Sequence, residues 1–177
     1  MFGYSQDGLE FWAYPFQIVN SFKVAFRCEG TTTEIDGEGI LRRLVYRPDS
    51  VVRIYAGPAF IVTEKIFVPL DQAGAIIRYD VSSDRPVDIV VHFVPVLDLM
   101  WPGGMGGQEA TWDPAASAYL LTEPRQRFSG SIGSPDIIAH DETKNQNRRL
   151  TPERNSSGRI LDYLLSKYPR NGTSGWL

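Results

Sequence analysis

From Phe16 to Cys28 the chain alternates apolar and polar side chains. Even positions read Phe16, Ile18, Asn20, Phe22, Val24, Phe26 and Cys28, and odd positions Gln17, Val19, Ser21, Lys23, Ala25 and Arg27. Period two sustained over this length predicts one long strand with a buried even face, so Phe22, Val24 and Phe26 are expected inside and Lys23 and Arg27 outside. Asn20 interrupts the apolar face, which marks a bulge or a strand end. Further strands are expected at Ile40–Arg47, Val51–Ala56 and Phe60–Val68, closed in turn by Pro48-Asp49-Ser50, by Gly57-Pro58 and by Pro69 with Asp71-Gln72-Ala73-Gly74.

Two cleaner alternations follow. Ala75, Ile77, Tyr79 and Val81 interleave with Ile76, Arg78, Asp80 and Ser82; after Ser83-Asp84-Arg85-Pro86, Val87, Ile89, Val91 and Phe93 interleave with Asp88, Val90, His92 and Val94. Closely spaced turn signals without an intervening amphipathic helix predict an all-β, antiparallel β-sandwich (supersandwich-like) and argue against a doubly wound sheet. Beyond Asp98 the texture changes to the Gly-rich stretch Leu99–Gln108. Shorter strands are expected at Ala118–Glu123 and Arg125–Ser129, with a weaker case at Ile137–His140. The resulting organisation is a sandwich domain over 1–142, then a polar linker, a short helix and a disordered tail over 143–177. The helix, about 158–168, rests on Ser157 as cap and on Ile160, Leu161, Leu164, Leu165 and Tyr168 at helical spacing before Pro169.

Composition narrows the chemistry. Eighteen basic against 21 acidic residues in a chain of 177 give a net charge of −3, without the basic excess that nucleic acid or an anionic membrane surface calls for. The single Cys28 excludes an internal disulfide and any multi-cysteine zinc site, and reads as a small apolar filler. His92 reads as a surface or interface residue. No stretch approaches the ~20 apolar residues of a membrane helix, and the start carries no visible signal peptide. The expectation is a soluble chain, cytoplasmic by default.

Candidate chemistry is sparse. Gly103–Gly107 lacks the G-x-x-x-x-G-K-[ST] pattern and any flanking βαβ unit, so a surface loop is the better reading than a phosphate cradle. His140-Asp141-Glu142 could suggest a metal or acid–base cluster, but neighbours on a strand point to opposite faces, and a solvated loop is expected. Asp36, Glu38, Asp80, Asp88, Asp98 and Glu109 fall in turns or on polar strand faces. Trp101 and Trp112 flank the Gly-rich stretch and could offer a platform to a sugar ring, although packing is the commoner role of such rings.

Five stretches taken together carry a resemblance: Leu9–Pro15 (LEFWAYP), Thr63–Pro69 (TEKIFVP), Ala75–Val81 (AIIRYDV), Asp84–Val87 (DRPV) and Met100–Gln108 (MWPGGMGGQ). Their order over Gly8–Glu142 resembles the amino-terminal β-sandwich domain of bacterial glycogen-debranching-type glycoside hydrolases, which precedes a six-hairpin (α/α)6 barrel. The resemblance implies hydrolysis of α-glucosidic linkages by carboxylates of that barrel, which this chain does not contain. No catalytic residue, metal or cofactor is therefore expected here. The implied partners are the absent (α/α)6 catalytic domain and an α-glucan, with Trp12, Tyr14, Trp101 and Trp112 as candidate carbohydrate or domain-interface contacts. A stand-alone carbohydrate-binding module and an inactive truncated gene remnant are the alternatives. The Arg-, Asn- and Ser-rich run after Lys144 departs from the family pattern, as a truncation or frameshift would.

Overall fold

A computed structural model of the chain describes residues 2–5, 8–100, 102–104, 108–144, 159–168 and 172–176. In chain order the elements are β1 (Phe2–Ser5), β2 (Gly8–Ala13), β3 (Phe16–Cys28), β4 (Ile35–Asp36), the single-turn α1 (Gly37–Ile40), β5 (Leu41–Tyr46), β6 (Val51–Ala56), β7 (Phe60–Phe67), β8 (Ile76–Ser83) and β9 (Val87–Leu99). There follow β10 (Glu109–Asp113), β11 (Ala118–Thr122), β12 (Ser129–Gly133), β13 (Ile137–Lys144), β14 (Arg159–Tyr168) and β15 (Gly172–Trp176). They form a seven-stranded sheet ordered β1-β2-β3-β9-β14-β13 with β4 on β3, a three-stranded sheet β10-β11-β12, and a five-stranded sheet β15-β8-β7-β6-β5. The class is all-β and sandwich-like.

The described residues fall into two compact units. The first takes those within Met1–Lys23, His92–Gly133 and His140–Asp162, and the second those within Val24–Val91, Ser134–Ala139 and Tyr163–Leu177. Strands β3, β9, β13 and β14 each have residues in both.

In the first unit, β2 pairs with β3 antiparallel, but Leu9 stands opposite Phe22 while Phe11 stands opposite Val19. One residue of β3 is surplus at Asn20–Ser21, where Ser21 takes a φ of 54° and its N–H bonds the Asn20 Oδ1 at 2.7 Å. This bulge reverses the parity of the strand. Downstream, Phe22, Val24 and Phe26 are buried and Lys23 is exposed as the alternation predicts, with Arg27 half-buried. Upstream, the buried residues are Gln17 and Val19, so the even face is not the inner one there. Phe16 and Ile18 are instead met by Phe128, just before β12, and by Gly130 within it. Phe16 packs on Phe128 with ring centroids 4.6 Å apart, and a Cβ at Gly130 would lie 3.2 Å from Ile18 Cγ2. Gly8, with φ of 131°, sits where a Cβ would meet the Phe22 carbonyl at 2.7 Å, so only glycine fits without a shift.

In the second unit, β5 to β8 form an antiparallel meander, β15 adds to β8, and alternate residues of each inner strand are buried. Phe26, at the end of β3, closes against that sheet through Tyr55 and Phe60, at centroid separations of 5.0 and 5.2 Å. Rings buried in this way contribute both area and preferred edge contacts, together worth several kcal/mol each.

Two C-terminal expectations are corrected. Arg159–Tyr168 forms strand β14, not a helix, and lies between β9 and β13; Gly172–Trp176, expected as a disordered tail, is strand β15 on β8. The reason is physical: apolar residues at both strand registers of this ten-residue segment also recur at helical spacing, and an isolated helix that short is marginal, whereas a ladder supplies hydrogen bonds on both sides. The second short strand also begins at Ser129, not Arg125, because Glu123–Arg127 is taken up by a turn. The polar linker over 145–158 lies outside the described residues.

Candidate functional site

Trp12 and Tyr14 stand at the end of the β2–β3 hairpin. Trp12 is half-buried and its Nε1 donates to Glu10 Oε2 at 3.1 Å, while Tyr14 is 78% exposed and precedes Pro15 across a cis peptide bond. The chain leaving β9 returns to this hairpin: the Met100 N–H donates to the Pro15 carbonyl at 2.9 Å. Met100 is itself exposed. Gln108 anchors the far side of the Gly-rich stretch, its Nε2 donating to the Pro95 carbonyl at 2.6 Å. Trp101 lies outside the described residues.

Trp112 belongs to a different cluster. Its ring stacks on the His140 imidazole at 4.0 Å and 20°, and Tyr119 meets both edge-on, with Phe93 behind it. The Tyr119 hydroxyl donates to the Asp141 carbonyl at 3.0 Å and lies 3.5 Å from His140 Nδ1. A sugar approaching the His140 side of Trp112 would have to displace the imidazole. His140 and Asp141 are thus on strand β13 and not in a loop, with His140 committed to a ring contact.

The acids singled out by the sequence are each accounted for locally. Asp36 accepts the Glu38 N–H at 3.3 Å at the start of α1, Asp80 pairs with Arg78 at 2.9 Å, and Asp88 with Arg27 at 3.0 Å. Asp98 accepts the Leu99 N–H at 2.9 Å, and Glu109 is exposed. Among the described residues, no group of His, Cys, Asp and Glu is arranged to hold a metal ion, and no helix is long and apolar enough to cross a membrane.

The polar cluster that sequence reading passed over is on the inner face of the five-stranded sheet. Arg53, Glu64 and Tyr79 lie directly opposite one another on β6, β7 and β8. Glu64 is fully buried; its Oε2 accepts Arg53 Nε at 2.6 Å and the Tyr55 hydroxyl at 2.6 Å, and its Oε1 accepts the Tyr79 hydroxyl at 3.2 Å. Arg53 also reaches Glu38 Oε1 at 3.5 Å. Burial pulls the Arg53 guanidinium toward neutrality, but the Glu64 charge and hydrogen bond outweigh it and hold its pKa above the ordinary arginine value. Burial, then the Glu64 charge, pushes the Tyr55 phenol far up, so it stays neutral and donates. The signal available in the sequence was one charged residue inside each apolar register: Arg53 between Val51 and Tyr55, and Glu64 between Val62 and Ile66.

The class so defined is an antiparallel, sandwich-like β protein with a buried Arg53–Glu64 ion pair closed by two tyrosines, and with Tyr14 among its exposed aromatic side chains. No protein-family model matches the chain, and no curated protein matches it.

Proposed function

We propose that this chain is a non-catalytic amino-terminal accessory module of a glycogen-debranching-type glycoside hydrolase, packing against an (α/α)6 barrel and helping to shape its cleft. The observation that carries the reading is convergence. Leu9–Pro15 and Met100–Gln108, two of the stretches on which the resemblance rests, are joined by the Met100 to Pro15 hydrogen bond. The hairpin end they share bares Tyr14 and Met100, apolar side chains that a docking partner would cover. Glycoside hydrolysis needs one protonated and one ionised carboxyl group across a sugar ring. In this chain Glu64 is fully buried and engaged on both oxygens by arginine and tyrosine, which keeps it from reaching a substrate.

The test is reconstitution. The chain is mixed with a separately produced (α/α)6 domain of a debranching-type hydrolase and followed by calorimetry and by glycogen hydrolysis. Saturable association that raises turnover, and that Tyr14→Ala with Met100→Ala weakens, supports the proposal; no association, or hydrolysis by the chain alone, overturns it. Titration with maltooligosaccharides, read by tryptophan emission, reports separately on α-glucan binding.

A further inference from the structure

Strand β5 is the outermost strand of the five-stranded sheet, hydrogen-bonded to β6 alone. Its neighbour ladder fixes which groups face the open edge. Arg47 and Ser50 exchange both backbone bonds, N–H to carbonyl at 2.8 and 3.4 Å, so they form a hydrogen-bonded pair. Antiparallel ladders alternate, and the next pairs inward are Tyr46–Val51, Val45–Val52, Leu44–Arg53 and Arg43–Ile54. Leu44 and Tyr46 therefore turn their N–H and C=O groups away from β6, toward the open edge. Their side chains share a face with the buried Val51 and Arg53, yet they are 43% and 75% exposed. Among the described residues no strand pairs with that edge.

The opposite face of β5 is basic. Arg43 and Arg47 lie on it, Arg42 stands at the register shift, and all three are exposed. None has an ion-pair partner among the described residues, whereas Asp49 pairs with Lys65 at 3.8 Å and Glu38 with Arg53 at 3.5 Å. In a chain of net charge −3, this edge is a local excess of positive charge.

We propose that β5 is a docking edge for an extended acidic segment of a partner protein, which adds to the sheet as an antiparallel strand. The segment alternates apolar and acidic residues. Its apolar side chains cover Leu44 and Tyr46 while its backbone pairs with theirs, and its carboxylates face Arg43 and Arg47. Backbone bonds supply affinity and alternate side chains supply selectivity, as in other strand-addition complexes. A second copy of this chain is a poor occupant: antiparallel self-pairing centred on Val45 sets Arg43 directly against Arg47 of the copy, and opposed like charges destabilise a ladder. The proposal does not depend on the accessory-module reading.

The experiment uses the full chain and a fluorescent synthetic peptide of alternating Val and Glu, followed by anisotropy. The peptide should bind saturably and more weakly as salt rises. Charge reversal by Arg43→Glu with Arg47→Glu should weaken it by about tenfold or more. N-methylation of the valine amides, which face Leu44 and Tyr46, should abolish binding, and N-methylation of the glutamate amides should spare it. No binding to the unmodified peptide overturns the proposal and leaves the arginines as guards against edge pairing. Binding that survives valine N-methylation, or that a single-stranded oligonucleotide matches, also overturns it in favour of a general anion patch. Because the methylation arm leaves the protein unaltered, it decides the question even where the double variant misfolds.

Discussion

Glu64 and His140 each meet two aromatic residues, yet one is fully buried and the other is exposed. Around Glu64 the tyrosines contribute hydroxyls, and every contact is a hydrogen bond to charge, so the group can be dry only as long as all its partners are in place. Around His140 the neighbours contribute ring faces and edges, which are tolerant in angle and do not require exclusion of water. The first arrangement rigidifies three strands. The second joins β13 to β10 and β11 while remaining open to change.

That contrast can be broken experimentally, beginning where the effect is largest. Glu64→Ala strands a buried guanidinium and two hydroxyls, and urea unfolding should show a loss of about 3–5 kcal/mol, whereas Arg53→Met combined with Glu64→Leu should recover most of it. A loss comparable to that of a surface change would mean that water reaches the cluster. Trp112→Ala should cost about 2 kcal/mol, below the range for fully buried rings, because Trp112 is only half-buried. Tyr119→Phe removes the bond to the Asp141 carbonyl and should cost about 1 kcal/mol, measured in the same way.

A smaller effect is confined to acid. Burial alone would raise the Glu123 carboxyl, but the Arg127 and Arg125 backbone N–H groups and the Arg127 guanidinium overcome this and hold it below the usual carboxylate value. Its contribution to stability is present above the unfolded-state value of about 4.3 and is lost as pH falls through the lower folded value. Glu123→Gln should flatten that limb of the stability curve, and an unchanged limb would remove the turn from the account. His140→Ala should move stability by no more than about 0.5 kcal/mol, as for other exposed side chains, while changing tryptophan emission by uncovering Trp112.

Strands buried on one face announced themselves. Ile77, Tyr79 and Val81 on β8 are buried as their alternation predicts, whereas on β9 Asp88 and Val90 are buried along with Ile89, Val91 and Phe93. The polar row did not, because acids were weighed by their place in turns and on polar faces, and Glu64 occupies neither. Its meaning depends on Arg53, which is adjacent only through strand register. Tyr14 is exposed, and the joining of its hairpin to Met100 is a matter of topology that no local pattern encodes. Arg159–Tyr168 is ambiguous in sequence because its apolar residues fall on both strand registers and also recur at helical spacing.

The surplus residue at Asn20–Ser21 gives β3 a place where its length can vary. With it, Gln17 and Val19 share an inward direction with Phe22, Val24 and Phe26 only because the count slips by one between them. A chain lacking Ser21 would keep the same residues inward, with the second register shift of the ladder, between Phe11 and Trp12, left in place. A chain lacking Lys23 would instead put Phe22 out of phase with Val24 and Phe26. Single-residue deletions scanned along β3 should therefore be tolerated at the slip and rejected at Lys23, so that the strand carries its own permitted site for insertion and loss during divergence.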